Sequence, residues 1–216
     1  MGNIITLTRD HEAIQHLCTK DKRLAKVISS IGPITYELYE DDYGFLVSTI
    51  IGQMLSNKVA DIMTERLNFL CEGAVRPDVI NGLSDDAVRG IGISASKVAY
   101  IRELTNAVEN GIIDFGEMRK LEDREVIKKL TLIRGIGNWS AKMYLIFVLN
   151  RQNVLPFEDV AFLQGYGWLY KTDEFKPAAI SEKCKKWKPY SSVAARYLYR
   201  ALDAGLTKSE FHLYKI

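Results

Sequence analysis

The stretch Leu130-Thr131-Leu132-Ile133-Arg134-Gly135-Ile136-Gly137-Asn138-Trp139-Ser140, followed by an apolar run and then by Leu155-Pro156-Phe157-Glu158-Asp159, decides the reading of this chain. A charged helical segment is expected to end near Leu132, a Gly-Ile-Gly turn follows, and a second helix is expected from about Asn138. Two glycines allow a positive φ and a close approach to another surface. The turn leaves backbone N–H groups unpaired at the head of the second helix, where the helix dipole adds partial positive charge. Such a nest suits one anionic oxygen, of which a nucleic-acid phosphate is the obvious source. Trp139, Ala141, Met143, Tyr144, Leu145, Ile146, Phe147, Val148 and Leu149 predict a helix about 18 Å long, apolar on nearly every side and therefore central in its domain. Asn150-Arg151-Gln152-Asn153 break it, Pro156 begins a new turn, and Asp159 stands just beyond, placed to cap the next helix or to face a cleft.

Working outward, helical spacing recurs over most of the chain. It predicts helices over Asp10 to Cys18, after a cap at Asp21, from Phe45 to Met54, and after Ser56 with Val59, Ile62, Met63, Leu67 and Leu70 on the buried face. Glu37 to Tyr43 reads as a connector. Further helices are expected from Pro77, after Ser84, from Ser94 to Gly111, over Glu122 to Leu130, from Pro177 to Trp187, and after a cap at Ser191 or Ser192. Gly165-Tyr166-Gly167-Trp168 reads as a bend. Gly90-Ile91-Gly92 echoes the later Gly135-Ile136-Gly137. A period of two is never sustained, so no strand is predicted and the class is all-α.

Composition narrows the function more weakly. The chain has 216 residues with 47% hydrophobic and 26% charged content, which excludes a disordered chain. No apolar run reaches the roughly 18 residues of a membrane helix, and Met1-Gly2-Asn3 opens no signal peptide. Cys18, Cys71 and Cys184 form no C-x-x-C pair, which argues for free thiols in a reducing compartment. His11, His16 and His212 are scattered, so no metal site and no cofactor is expected. A net charge of +2 does not by itself announce a nucleic-acid partner. Lys183, Lys185, Lys186 and Lys188 cluster near Trp187, with Arg196 and Arg200 following, and the default reading of such a run is a solvated face.

The hairpin and Asp159, together with Ile51-Gly52-Gln53-Met54-Leu55-Ser56, Gly92-Ile93-Ser94-Ala95-Ser96-Lys97 and Trp187-Lys188-Pro189-Tyr190-Ser191-Ser192-Val193-Ala194-Ala195, resemble the HhH-GPD superfamily of DNA glycosylases. The resemblance is greatest to its alkylpurine branch. It implies a helix–hairpin–helix fold with two helical subdomains flanking an active-site cleft. One would span residues 43–150, and 1–42 with 151–216 would build the other. It implies hydrolysis of the N-glycosidic bond of alkylated purines flipped out of duplex DNA, by a monomeric enzyme of the nucleoid or nucleus. The partner it implies is double-stranded DNA carrying a damaged base.

Residue by residue, the resemblance makes Asp159 the catalytic carboxylate, where its own residue type also suits a helix cap. Arg134, Gly135, Ile136 and Gly137 become the phosphate-binding hairpin. Trp139, Met143 and Tyr199 become base-pocket residues, with Met143 and Tyr199 departing from the Tyr and Trp of a familiar bacterial member. Met54 becomes an apolar wedge with Gln53 beside it, although methionine equally suits a core position. Where the bifunctional branches carry a Schiff-base lysine this chain has Trp139, and Lys142 lies one turn on, so no lyase activity is expected. The four-cysteine iron–sulfur cluster of some members is excluded. The alternative is a non-catalytic DNA-binding protein that uses the Gly135-Ile136-Gly137 nest merely as a clamp.

Overall fold

The computed structural model describes residues 4–213; the Met1-Gly2-Asn3 start lies outside them. In chain order the elements are β1 (Ile4–Leu7), α1 (Glu12–Lys20), α2 (Lys22–Ile31), β2 (Ile34–Glu37), α3 (Asp42–Gly52), α4 (Asn57–Leu70), α5 (Pro77–Gly82), α6 (Asp85–Gly90), α7 (Ala95–Glu109), α8 (Phe115–Met118), α9 (Asp123–Thr131), α10 (Asn138–Phe147), α11 (Val160–Tyr170), α12 (Pro177–Lys183) and α13 (Ser191–Asp203). The fold is predominantly helical. The chain divides into two compact units: Tyr39–Leu149 forms one, and the segments up to Leu38 and from Asn150 onward form the other.

In the discontinuous unit, Leu7, Ile14, Leu17, Leu24 and Val27 from the first segment share a core with Phe162, Leu169, Trp187, Tyr197 and Leu198 from the second. Asp21 is buried in it. It caps α2 by accepting from the N–H groups of Arg23 and Leu24 at 3.0 and 3.3 Å. It also takes the Tyr170 hydroxyl, the Trp187 Nε1–H at 2.8 Å and the Lys186 ammonium at 3.2 Å. Burial works to raise its pKa, but the Tyr170 and Trp187 hydrogen bonds and the Lys186 charge outweigh burial and hold the carboxyl below its ordinary value.

Four expectations fail in this unit. A two-stranded antiparallel sheet pairs Ile4 with Glu37 through Leu7 with Ile34, where no strand was predicted. Each strand is only four residues long, too short for a period of two to register. The Gly165–Trp168 bend is continuous helix in α11. A Cβ on Gly165 would stand 2.9 Å from the Leu198 Cβ, so this glycine serves a close crossing of α11 and α13. Arg196 is 7% exposed rather than solvated, and its guanidinium lies 3.8 Å from the centre of the Tyr36 ring. At the start of α13 the cap position is Tyr190, not a serine. Ser192 instead uses its hydroxyl to accept from the Val154 N–H at 2.9 Å.

In the continuous unit, α10 is the buried helix its composition predicts: Ala141, Tyr144, Leu145 and Ile146 are inaccessible. The Tyr144 hydroxyl donates to Asp42 Oδ1 at 2.6 Å, and Asp42 also pairs with Arg119 at 2.6 Å. Helix α4 departs from expectation. Val59 and Ile62 are 38% and 40% exposed, and Leu67 is its only buried residue. Helical spacing marks an apolar face; it does not establish that a neighbour covers that face.

Candidate active site

The hairpin joins α9 to α10. Gly135 has φ +93°, and a Cβ there would lie 2.2 Å from the Tyr100 ring, so only glycine lets the turn settle on that ring. Gly137 differs: its φ is −98° and its ψ −178°, extended backbone open to any residue, and the expectation of a positive φ there is corrected. It is the N-cap of α10, and no side chain accepts a hydrogen bond at this helix head. Nothing within 4 Å would meet a Cβ on Gly137. The head of α10 thus has open space in front of it and no competing side-chain acceptor, the arrangement an anionic oxygen requires. Ile136 is buried and anchors the turn, while Arg134 is exposed with its guanidinium 5.8 Å from the Tyr100 ring centre.

Gln53 and Met54 follow α3. Gln53 Nε2 donates to the Gly135 carbonyl at 2.6 Å, joining this loop to the hairpin. Met54 is 101% exposed at φ +59°, which rules out a core role. In the first turn of α10, Trp139 is half-buried; Met143, four residues on and so on the same helix face, is 6% exposed.

In the other unit Asp159 is the N-cap of α11, and its Oδ1 accepts from the Phe162 N–H at 2.7 Å. The cap reading is therefore correct as geometry, and it leaves the carboxylate half-buried with a fixed orientation. Tyr199 faces it. Burial first, then the Asp159 charge and a hydrogen bond to that carboxylate, push the Tyr199 phenol well above its ordinary value, so it remains a protonated donor. Behind these lie Tyr36 and Arg196, with the Tyr36 hydroxyl donating to Asn150 Oδ1 at 3.3 Å. Burial draws the Arg196 guanidinium down, opposed by its tyrosine neighbours Tyr36 and Tyr199.

The predicted site residues thus fall into two groups, Gln53 with the hairpin in one unit and Asp159 with Tyr199 in the other. Sequence reasoning missed Tyr100, Arg196 and the use made of Lys97. The spacing of Tyr100 from Lys97 on one helix was visible, but its partner Gly135 is distant in sequence. Among the described residues no group of three His, Cys, Asp or Glu side chains is placed to hold a metal ion. No described helix is long and apolar enough to cross a membrane.

Residues 47–189 match the family model described as HhH-GPD superfamily base excision DNA repair protein. The DNA-3-methyladenine glycosylase 1 of Schizosaccharomyces pombe is 28% identical over 204 residues, covering 91% of this chain and 88% of that protein. The crystal structure of a DNA-3-methyladenine glycosidase from Bacillus halodurans superimposes with a TM-score of 0.85 at 34% identity, covering 97% of each chain. A Schizosaccharomyces pombe 3-methyladenine DNA glycosylase in complex with abasic DNA matches with a TM-score of 0.83 at 25% identity, covering 95% of this chain and 100% of that one.

Proposed function

We infer the reaction from one premise: the chain belongs to the HhH-GPD superfamily of base excision DNA repair proteins. It is a DNA glycosylase of the 3-methyladenine class, acting on alkylated purines in base excision repair, as its relatives of that name support. Water attacks C1′ of the deoxyribose, the C1′–N bond breaks, and its electron pair leaves with the base. Positive charge builds on the sugar in the transition state. A carboxylate fixed beside that charge stabilises it and accepts the proton of the attacking water. Asp159 is the residue for this role.

An alkylated purine that is already cationic needs no general acid to leave. It also stacks well on electron-rich rings, the role proposed for Trp139 and Tyr199, with Met143 lining the same helix face as Trp139. The hairpin Arg134–Gly137 holds a phosphate of double-stranded DNA, and Met54, exposed beside Gln53, fills the gap that the flipped base leaves. With Trp139 where a Schiff-base lysine would be needed, the product is an abasic site and the strand stays intact. Borohydride added during turnover is expected to trap no covalent adduct; a trapped band that vanishes on mutating Lys142 would refute this.

The observation that carries the reading is the carboxylate of Asp159, held at the head of α11 by the Phe162 amide. Asp159→Asn tests it, because asparagine caps a helix as well as aspartate does and only the charge is lost. The variant should melt and bind DNA as the parent does while base release falls by about 10² to 10³. Undiminished release from methylated DNA would make Asp159 a cap alone. If the parent protein itself binds DNA and releases no base, the chain is a clamp and not an enzyme.

A further inference from the structure

The turn that carries Met54 has a conformation its own sequence disfavours. Gln53 has φ −53° and ψ 128°, Met54 has φ +59°, and the Leu55 N–H donates to the Gly52 carbonyl at 3.1 Å. These values make Gly52–Leu55 a type II turn, whose third position requires a positive φ and is normally glycine or asparagine. A methionine there is strained by about 1–2 kcal/mol. A type I turn would span the same residues without that strain. The two differ by a flip of the central peptide, so the Gln53 carbonyl oxygen points to opposite sides in them. Strain of this kind persists only where the surroundings impose it.

Lys97 is what imposes it. From the first turn of α7 its Nζ donates to the Ile51 carbonyl at 2.7 Å and to the Gln53 carbonyl at 2.8 Å. The Ile51 oxygen belongs to the last turn of α3, where helix carbonyls lack partners and a cation is favoured. The Gln53 oxygen is the group whose direction separates the two turn types. Lys97 is half-buried, and burial draws its ammonium below the ordinary lysine value, as suits an amine turned onto carbonyls instead of out toward solvent. Three residues along the same helix, Tyr100 lies under Gly135, and Gln53 Nε2 reaches the Gly135 carbonyl at 2.6 Å. The start of α7 therefore supports both the Met54 turn and the hairpin.

We propose that Lys97 is a positioning residue for base extrusion: by holding the Ile51 and Gln53 carbonyls it locks the Gly52–Leu55 turn in its type II form and stands Met54 out from the surface. This rests on reading Met54 as the wedge. Without the ammonium the central peptide flips, the strain relaxes, and Met54 leaves the position from which it fills the stack.

The test uses Lys97→Met, Met54→Ala and the double variant with a duplex carrying one methylated purine beside 2-aminopurine. Stopped-flow fluorescence reports extrusion ahead of base release. Lys97→Met should bind an undamaged duplex within about twofold of the parent with an unchanged salt slope, because Lys97 neutralises no phosphate. Its extrusion phase should slow by about tenfold, as should that of Met54→Ala, and the double variant should be no slower than either, because both act through one turn. Lys97→Arg, which keeps charge and donors, should recover most of the rate. A salt slope reduced by about one would make Lys97 a phosphate contact and overturn the proposal. So would normal extrusion by Lys97→Met beside slow extrusion by Met54→Ala, or effects that add in the double variant. Loss of cooperative melting in Lys97→Met, with Lys97→Arg like the parent, would make Lys97 a folding residue and also overturn it. Normal extrusion by Met54→Ala refutes the wedge itself, and the role of Lys97 falls with it.

Discussion

Arg89-Gly90-Ile91-Gly92 and Arg134-Gly135-Ile136-Gly137 carry the same four residues in the same order, and each joins two helices of the continuous unit. Their backbones differ. In the earlier turn the second glycine takes the positive φ, +109° at Gly92, and in the later one the first does, +93° at Gly135. Helix α7 begins two residues after the earlier turn, with Ser94 as its cap accepting from the Lys97 N–H at 3.3 Å. Helix α10 begins directly on Gly137, which has no side chain to offer. One helix head is capped by its own side chain and the other is not. Identical tetrapeptides thus become a side-chain-capped joint and, on the role proposed above, an anion nest, according to the residues that follow: Ile93-Ser94 in one case, Asn138-Trp139 in the other.

Substitutions at these two turns would break or sharpen that contrast. The largest effect is expected from Gly135→Ala, which combines a positive φ with contact to the Tyr100 ring. It should lower the unfolding free energy by about 3 kcal/mol in denaturant titration and abolish hairpin-dependent DNA binding. Stability near the parent's would mean that Tyr100 moves aside and that the hairpin is not seated on it. Gly92→Ala meets the flexible end of Met63 at 3.3 Å and the Arg66 Nη1 at 3.5 Å, the latter an ordinary contact. A loss of about 1–2 kcal/mol from its φ is expected, with DNA affinity within twofold of the parent. If affinity fell as far as for a hairpin variant, the earlier turn would also be binding phosphate.

Gly137→Ala should leave melting unchanged, because its backbone is extended and nothing crowds a Cβ. A methyl group placed before the nest should weaken undamaged and damaged duplexes alike, by about tenfold or 1.4 kcal/mol. Normal affinity would exclude the head of α10 as the phosphate site. The smallest change is Ser94→Ala, expected to reduce stability by about 1 kcal/mol through loss of the cap. DNA binding should not change, in gel-shift titrations at fixed salt.

Most helices were legible because their apolar residues recur at helical spacing and their starts carry Ser or Asp caps. The errors share a cause: one local signal has two tertiary meanings. A glycine such as Gly165 marks a bend or a tight helix crossing, and only the presence of Leu198 decides. Arg196 sits among basic residues as a surface arginine would, and the ring of Tyr36, distant in sequence, makes it a buried one. Val59 and Ile62 form an apolar stripe that is only partly covered. At Asp159 the cap is observed, and it leaves room for the proposed catalytic role, because the Phe162 amide engages one carboxylate oxygen. The role of Lys97 was invisible although its block was noticed: its partners are backbone carbonyls, and those leave no mark in the identities of the residues that bear them.

The division of the chain into one continuous and one discontinuous unit sets an order of events during synthesis. Tyr39–Leu149 is a single uninterrupted stretch, able to close its core while later residues are still being made. The other unit needs Leu7 to Val27 to meet Phe162 to Leu198 across more than a hundred residues of sequence, a contact pattern that forms slowly. Pulse-labelled hydrogen exchange during refolding should find amides of α7 and α10 protected before those of α2 and α13; the reverse order would refute this. On the roles proposed above, a nascent chain would then have its hairpin turn built before Asp159 is in place, so the hazardous chemistry of cutting a base from DNA would be the last capability the protein acquires.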